Sequence, residues 1–234
     1  MSDKPILFSA PMVRALLAGS KTQTRRAITL PTRTASGGRI YERKDMGGWE
    51  VTTHGGPGVF RVVGGERVPV SEEPGLWHLT TGTCVSLRIK TGHRLWVREN
   101  FAICPTTAWA LPKTVSPDPD MAAYYRADFD RSGRPRWKPS IHMPRWASRL
   151  TLTVTDVRVQ RLQEISEGDA RAEGCEPTGC AKVLAPEDGF PSYRSAYDIL
   201  WEAINGTGSW DANPFVAAYT FTVEHCNIDQ ARAA

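Results

Sequence analysis

From Leu150 to Leu162 the chain alternates apolar and polar side chains. Leu150, Leu152 and Val154 form the strongest part, and Val157 to Leu162 continue it. A period of two over such a run marks a half-buried strand, not a helix. Phe215 to Glu224 has the same character, and shorter alternating runs occur at Ile6–Phe8, Val85–Ile89 and Leu95–Arg98. Glycine (20) and proline (17) together exceed one residue in seven of the 234. Such a chain makes many turns and short strands and excludes a helical bundle. Short strands are also expected at Arg39–Arg43, Trp49–Thr53 and Val59–Val63, with glycine clusters as hairpin turns.

Helical signals are few. After Ile6–Phe8, Ser9 suits an N-cap and Pro11 a first turn. Met12, Val13, Leu16 and Leu17 share one helical face, and Gly19 stops the helix. Residues 166–174 read as a short helix capped by Ser166 and closed by Gly174. Ser192–Asn205 reads as a longer one with Tyr193, Ala196, Tyr197, Leu200, Trp201 and Ile204 as its apolar stripe. The expected class is α+β: a small, mostly antiparallel β-barrel with flanking helices. One domain is expected over 1–225, with insertions at about 31–83 and 102–146 and a flexible tail at 226–234.

Several classes fall away. No run of eighteen apolar residues marks a membrane span, so no membrane partner is expected. The start of the chain lacks a signal-peptide core. Five cysteines, odd in number and irregularly spaced, do not make a secreted disulfide framework, and a cytoplasmic setting is expected. Cys175 and Cys180 have four residues between them, but a zinc site needs two more ligands at paired spacing. Neither metal nor cofactor is expected.

The chemistry concentrates in Lys21-Thr22-Gln23-Thr24-Arg25-Arg26, at a helix-to-strand junction. A Walker phosphate loop needs Gly-Lys-Ser/Thr, an earlier glycine, and strand before helix. Here Ser20 precedes Lys21 and the order is reversed, which argues against a nucleotide triphosphatase. Thr22 and Thr24 share a face if the segment is extended, with Lys21 opposite unless the junction turns. A desolvated lysine beside a threonine can serve as its base. The competing reading is a solvated basic turn after a helix.

The stretch Leu16 to Arg25 resembles the opening motif of the ASCH family, a branch of the PUA-like β-barrels, in which a helix ending "LAG" runs into "KTxTxR". Thr91 to Val97 resembles the family's "G-D-x-L-x-V" strand pair, with His93 in the acidic position. Leu150–Leu162, Ser166–Gly174 ("A-x-x-E-G") and Phe215–Val223 follow in the family's order. The matching segments, 1–29, 84–101, 147–174 and 190–225, cover about half the chain. Trp96-Val97-Arg98-Glu99 and Asn213-Pro214-Phe215 look like longer versions often carried by bacteriophages and prophages, which implies a bacterial or phage-infected cell.

Compact members of the family include amidohydrolases that deacetylate N4-acetylcytidine. The resemblance implies Thr24 as nucleophile, Lys21 as its activating base and Glu173 as the proton-handling or orienting carboxylate. Arg25 and Arg26, with backbone N–H groups, are the candidate oxyanion donors. Trp96, Arg98 and Glu99 are further candidate substrate-binding residues: in a barrel, one of Arg98 and Glu99 at the strand end faces the cleft, and the competing readings are a surface ion pair there and a core position for Trp96. The expected substrate is a nucleoside or nucleotide, and the default assembly is a monomer. The alternative is a module that binds RNA or a modified base without chemistry; a ribonuclease is a weaker option.

Charge is segregated. Residues 1–30 carry five basic and one acidic side chain, residues 131–161 eight and one, and residues 162–202 three and nine. Trp109, Trp137 and Trp146 lie near Arg134, Arg136, Lys138, Arg145 and Arg149, a mixture that suits single-stranded RNA or DNA. The competing reading is a tryptophan mini-core. Glu164, Glu167, Asp169 and Glu176 read as a solvated helix face.

Overall fold

The computed structural model describes residues 3–40, 48–131, 135–176 and 192–231. Its architecture is α+β with mostly antiparallel sheets. The central sheet has five strands: β1 (Asp3–Leu7), β2 (Gln23–Ala27), β8 (Arg94–Arg98), β12 (Thr151–Arg161) and β13 (Phe215–Glu224), in the order β1-β8-β12-β13-β2. The long alternating run forms β12, which pairs antiparallel with β13 along its whole length and shifts register between Val154 and Asp156. That shift is why Val154 and Val157, three residues apart, are both buried.

The sheet is not a closed barrel, which corrects the expected closure. Its first strand joins β8 in parallel, and β1 and β2 are left as its two edges. The helix α1 (Ala10–Leu17) connects these edges, as a crossover must when neighbouring strands are not joined by a hairpin. Val13 and Leu16 of α1 are fully buried in the main core with Leu95, Leu152, Val154 and Phe221. One side chain spans the open seam: Arg26 of β2 donates to the Leu7 carbonyl of β1 at 2.7 Å.

Both expected insertions build sheets of their own. The first holds β3 (Trp49–His54), the hairpin β4 (Phe60–Val63) and β5 (Glu66–Pro69), then β6 (Glu73–His78) and β7 (Cys84–Ser86), with sheet order β3-β6-β7. The expected strand Val85–Ile89 is therefore only three residues long. It belongs to this sheet and not to the central one. Of the expected strand Arg39–Arg43, Arg39 forms one isolated bridge with Arg33, and residues 41–43 lie outside the described residues. The second insertion holds β9 (Phe101–Pro105), β10 (Lys113–Val115) and β11 (Met121–Tyr125), in the order β10-β11-β9. Phe101, Ala123, Tyr125, Met143 and Ala147 form its core.

Two helices cover the far end: α2 (Glu167–Ala172) and α3 (Tyr193–Asn205). Ser166 and Ser192 cap them, accepting from the amides of Asp169 and Ser195. Tyr197, Trp201 and Ala196 of α3 pack with Leu162, Ile165 and Trp210. After β13 the chain is not a frayed tail as far as Ala231. Ile228 is buried, and the Asn227 amide donates to the carbonyls of Arg145, Trp146 and Ser148. Three satisfied backbone acceptors tie it to the second insertion.

Candidate active site

The junction after α1 is built by a tight turn. Gly19 takes a left-handed conformation (φ 73°), and the amides of Ser20 and Lys21 both donate to the Ala15 carbonyl. The chain then runs alongside the end of α2: Lys21 bridges Glu173, and the Thr22 amide donates to the Ala172 carbonyl at 2.8 Å. Gly174 permits this approach. Its φ is 78°, and a Cβ there would stand 2.9 Å from the Ala15 Cβ and 3.0 Å from the Lys21 Cβ. Lys21 and Glu173, 152 positions apart, are thereby brought into contact by a glycine that no larger residue can replace without strain.

Lys21 is fully buried, and its Nζ donates to both the Glu173 backbone carbonyl and Oε2, each at 2.8 Å. Glu173 is only 3% exposed, and its Oε1 accepts from Arg25 at 3.2 Å. Arg25 also donates to Asp169 Oδ2 (2.8 Å) and Gln23 Oε1 (2.5 Å). Asp169 in turn accepts from Arg158 (3.0 Å) and from the Gln23 amide (3.2 Å). Alternating opposite charges, each hydrogen-bonded, let this network tolerate burial. Burial by itself raises the Asp169 carboxyl. The Arg158 hydrogen bond and the charges of Arg25 and Arg158 outweigh it and hold the group below its ordinary 3.8.

On β2, Gln23 and Arg25 point towards α2, as their bonds to Asp169 require, so Thr24 and Arg26 take the other face. Thr24 is nearly buried and lines a small cleft, about 50 Å³, together with Arg25, Arg26, Glu173 and, from α3, Tyr197 and Trp201. Among the described residues the Thr24 hydroxyl has no hydrogen-bond partner. A more apolar hollow of about 260 Å³ adjoins it and shares Met12, Glu173, Leu200 and Ile204. The cations of Lys21 and Arg26 both stand over the Phe8 ring, at 5.6 and 5.3 Å from its centroid. Burial lowers the Arg26 guanidinium despite the nearby Glu173. Burial also raises the Tyr197 phenol, with the Glu173 charge adding to it, and pushes that of Tyr219 up to about 12.

Thr24, Glu173, Arg25 and Arg26 therefore line one cleft, and Lys21 lies buried behind its wall, bonded to Glu173. The terminal nitrogens of Arg25 are engaged by Gln23, Asp169 and Glu173, so it positions carboxylates as well. Trp96, Arg98 and Glu99 do not line the cleft. Arg98 stacks on Trp96 at 5.1 Å and donates to the Ile141 carbonyl. Glu99, 1% exposed, is gripped by Arg149 at 2.9 and 3.0 Å, and Arg149 also pairs with Asp128. The strand β8 runs between β1 and β12, and the residue after it is drawn into the second insertion by Arg149. Strand-end position alone did not reveal that partner.

Asp169 was expected on a solvated face, yet it is part of the network. Its signal was available: Asp169 and Glu173 are four apart, the spacing that puts two side chains on one helical face. Of the paired cysteines, Cys175 is buried and Cys180 lies outside the described residues. Among the described residues no three His, Cys, Asp or Glu side chains group to hold a metal. No described helix is long and apolar enough to cross a membrane. In comparisons with known proteins, no family model, no curated protein and no solved structure matches the chain.

Proposed function

We propose that the chain is an ASCH-type amidohydrolase of the PUA-like class, which removes the acyl group from N4-acetylcytidine or a related N4-acylated cytosine nucleoside or nucleotide. The observation that carries this reading is the buried Lys21–Glu173 pair in the wall of a cleft that also presents the unbonded hydroxyl of Thr24.

The chemistry follows from protonation. A threonine hydroxyl attacks a carbonyl only when a neighbour takes its proton. Lys21 can accept that proton after passing one of its own to Glu173 along their 2.8 Å bond. The Thr24 oxygen then bonds to the acyl carbon, and the carbonyl electron pair moves onto oxygen. Arg26, at the same cleft, is the cation for that oxyanion. Collapse of the tetrahedral adduct breaks the C–N bond while Lys21 returns a proton to the leaving N4 amine. Water, deprotonated by Lys21, then attacks the acyl carbon; the bond to the Thr24 oxygen breaks, Lys21 returns the proton to that oxygen, and the carboxylic acid leaves. The aromatic wall of Tyr197 and Trp201 excludes competing water.

Incubation with N4-acetylcytidine and chromatographic detection of cytidine tests this directly. The wild type is expected to turn over and Thr24→Val not to. Absence of turnover in the wild type, or undiminished turnover in Thr24→Val, overturns the proposal.

A further inference from the structure

The Trp-rich basic region of the second insertion divides into two parts. Trp146 packs against the insertion core. Arg145 is engaged by Asp3 and Asp229, and Arg149 by Glu99 and Asp128. Those charged groups already have partners within the protein. The other part is different. Tyr124, Trp109, Phe129 and Trp137 form a row of edge-to-face rings with centroids 5.1, 5.4 and 5.2 Å apart. At its outer end Trp137 opens on a surface pocket of about 540 Å³, lined by Arg126, Phe129, Asp130, Arg131 and Trp137.

The row is held rigidly. Lys138 and Phe101 exchange backbone hydrogen bonds at 2.7 and 3.2 Å, which fixes Trp137 in the chain. Arg126 lies over the Trp137 ring at 5.7 Å and is exposed. Arg131 is exposed too, with only a loose 3.7 Å contact to exposed Asp130, which is a weak interaction in water. Arg136 and Lys138, both exposed, flank Trp137 on either side. A rigid aromatic ring beside unneutralised cations, in a pocket large enough for a nucleotide, combines a stacking surface with phosphate contacts.

We propose that this pocket is a binding site for single-stranded nucleic acid: one base stacks at Trp137, and the flanking phosphates pair with Arg126 and Arg131, then Arg136 and Lys138. The pocket also has a fixed relation to the cleft. The turn Arg126–Asp128 packs on α1, where Arg14 donates to the Ala127 carbonyl at 3.2 Å. Met12, on the flank of α1 away from Arg14, lines the Lys21 cleft. One helix, about 10–12 Å across with its side chains, separates the two.

The test is fluorescence anisotropy with a labelled 12-nucleotide RNA and its DNA equivalent, neither acylated, over a range of salt. Wild type is expected to bind single strands more tightly than duplex, with affinity falling as salt rises. Trp137→Ala is expected to weaken binding about 5- to 150-fold, the usual worth of one base–aromatic stack. Because that change also cuts into the ring row, a second variant, Arg126→Ala/Arg131→Ala, leaves every ring in place. It is expected to reduce the salt slope by about 1.4, from two lost phosphate contacts. Arg61→Ala, an exposed arginine on the β4 hairpin, is the control expected to bind as wild type. No binding at low salt overturns the proposal, as does an unchanged slope in the double variant or displacement by poly-glutamate at equal charge. A protein that binds the strand but never deacylates N4-acetylcytidine removes the hydrolase reading and keeps this one. The converse result does the reverse.

Discussion

Two buried ion pairs, Lys21–Glu173 and Arg149–Glu99, look alike by burial and distance. Both carboxylates are at most 3% exposed, and both are held by hydrogen bonds of 2.8–3.0 Å. Their surroundings differ. Glu99 is closed in by Arg149, which lies 3.9 Å over the Tyr125 ring and also holds Asp128. Glu173 lines a cleft beside a free threonine hydroxyl. Burial of a charge pair is thus a structural condition shared by both. Access and a neighbouring nucleophile distinguish the candidate catalytic pair.

The sharpest separation comes from turnover. Thr24→Val should lower kcat by on the order of 10²–10⁴-fold, the range for removing a group activated by a base, while its melting temperature stays near that of wild type. Glu99→Gln should leave turnover of the folded protein unchanged. If both variants lose activity alike, the comparison fails.

Stability should not separate the pairs. Lys21→Ala leaves Glu173 with Arg25 alone and Glu99→Ala leaves Arg149 with Asp128 alone, so each should cost less than the ~3–5 kcal/mol of a wholly unpaired buried charge in denaturant unfolding. A near-zero loss for Lys21→Ala would show that its ammonium is not buried against Glu173. Gly174→Ala should cost less, about 1–3 kcal/mol, because it forces a left-handed φ on alanine and presses a methyl against Lys21. It should also reduce kcat, since Lys21 is the residue displaced. Full activity in Gly174→Ala would break the link between that glycine and the site.

The smallest effect is in the acid limb, where the two regions have opposite signs. Asp169 titrates below its ordinary 3.8 in the folded chain. Its stabilisation is present above 3.8 and is lost as pH falls through the folded value. Burial raises Glu99 above its ordinary 4.5, and Arg149 does not fully offset it. Its ionisation therefore costs stability at neutral pH, a cost relieved as pH falls through the folded value. Acid unfolding curves should be flatter than wild type for Asp169→Asn and steeper for Glu99→Gln. The same sign of change in both variants would contradict the assignment.

Local pattern made much of the framework legible. Alternation located β12 and β13, the apolar stripe located α3, and the cap serines located the starts of α2 and α3, all within a residue or two. These signals depend on period and on side-chain–backbone bonds within a few residues. Lys21, Thr24, Arg25 and Arg26 were legible as a cluster because they are adjacent in sequence, and Glu173 through the motif resemblance. Other features had no local signal. Val85 alternates as well in the insertion sheet as it would in the central one, so its partner strand was undetermined. Glu99 and Arg149 are fifty residues apart, and nothing near either names the other.

The sequence by itself determined β12, β13 and the helices, though not the strands β5, β6 and β9–β11, and placed a lysine, two threonines and two arginines at one helix-to-strand junction. The tertiary structure decided the rest: an open sheet rather than a closed barrel, Glu173 and not Glu99 at the cleft, Arg25 tied into a carboxylate network, and Trp137 rather than Trp146 in the wall of a surface pocket. The physical reason is range. Periodicity and capping act over a few residues and are written in the order of the chain. Desolvation, ion pairing and access to a cleft depend on which distant segments meet, and here Gly174 and the turn at Gly19 set that meeting for Lys21.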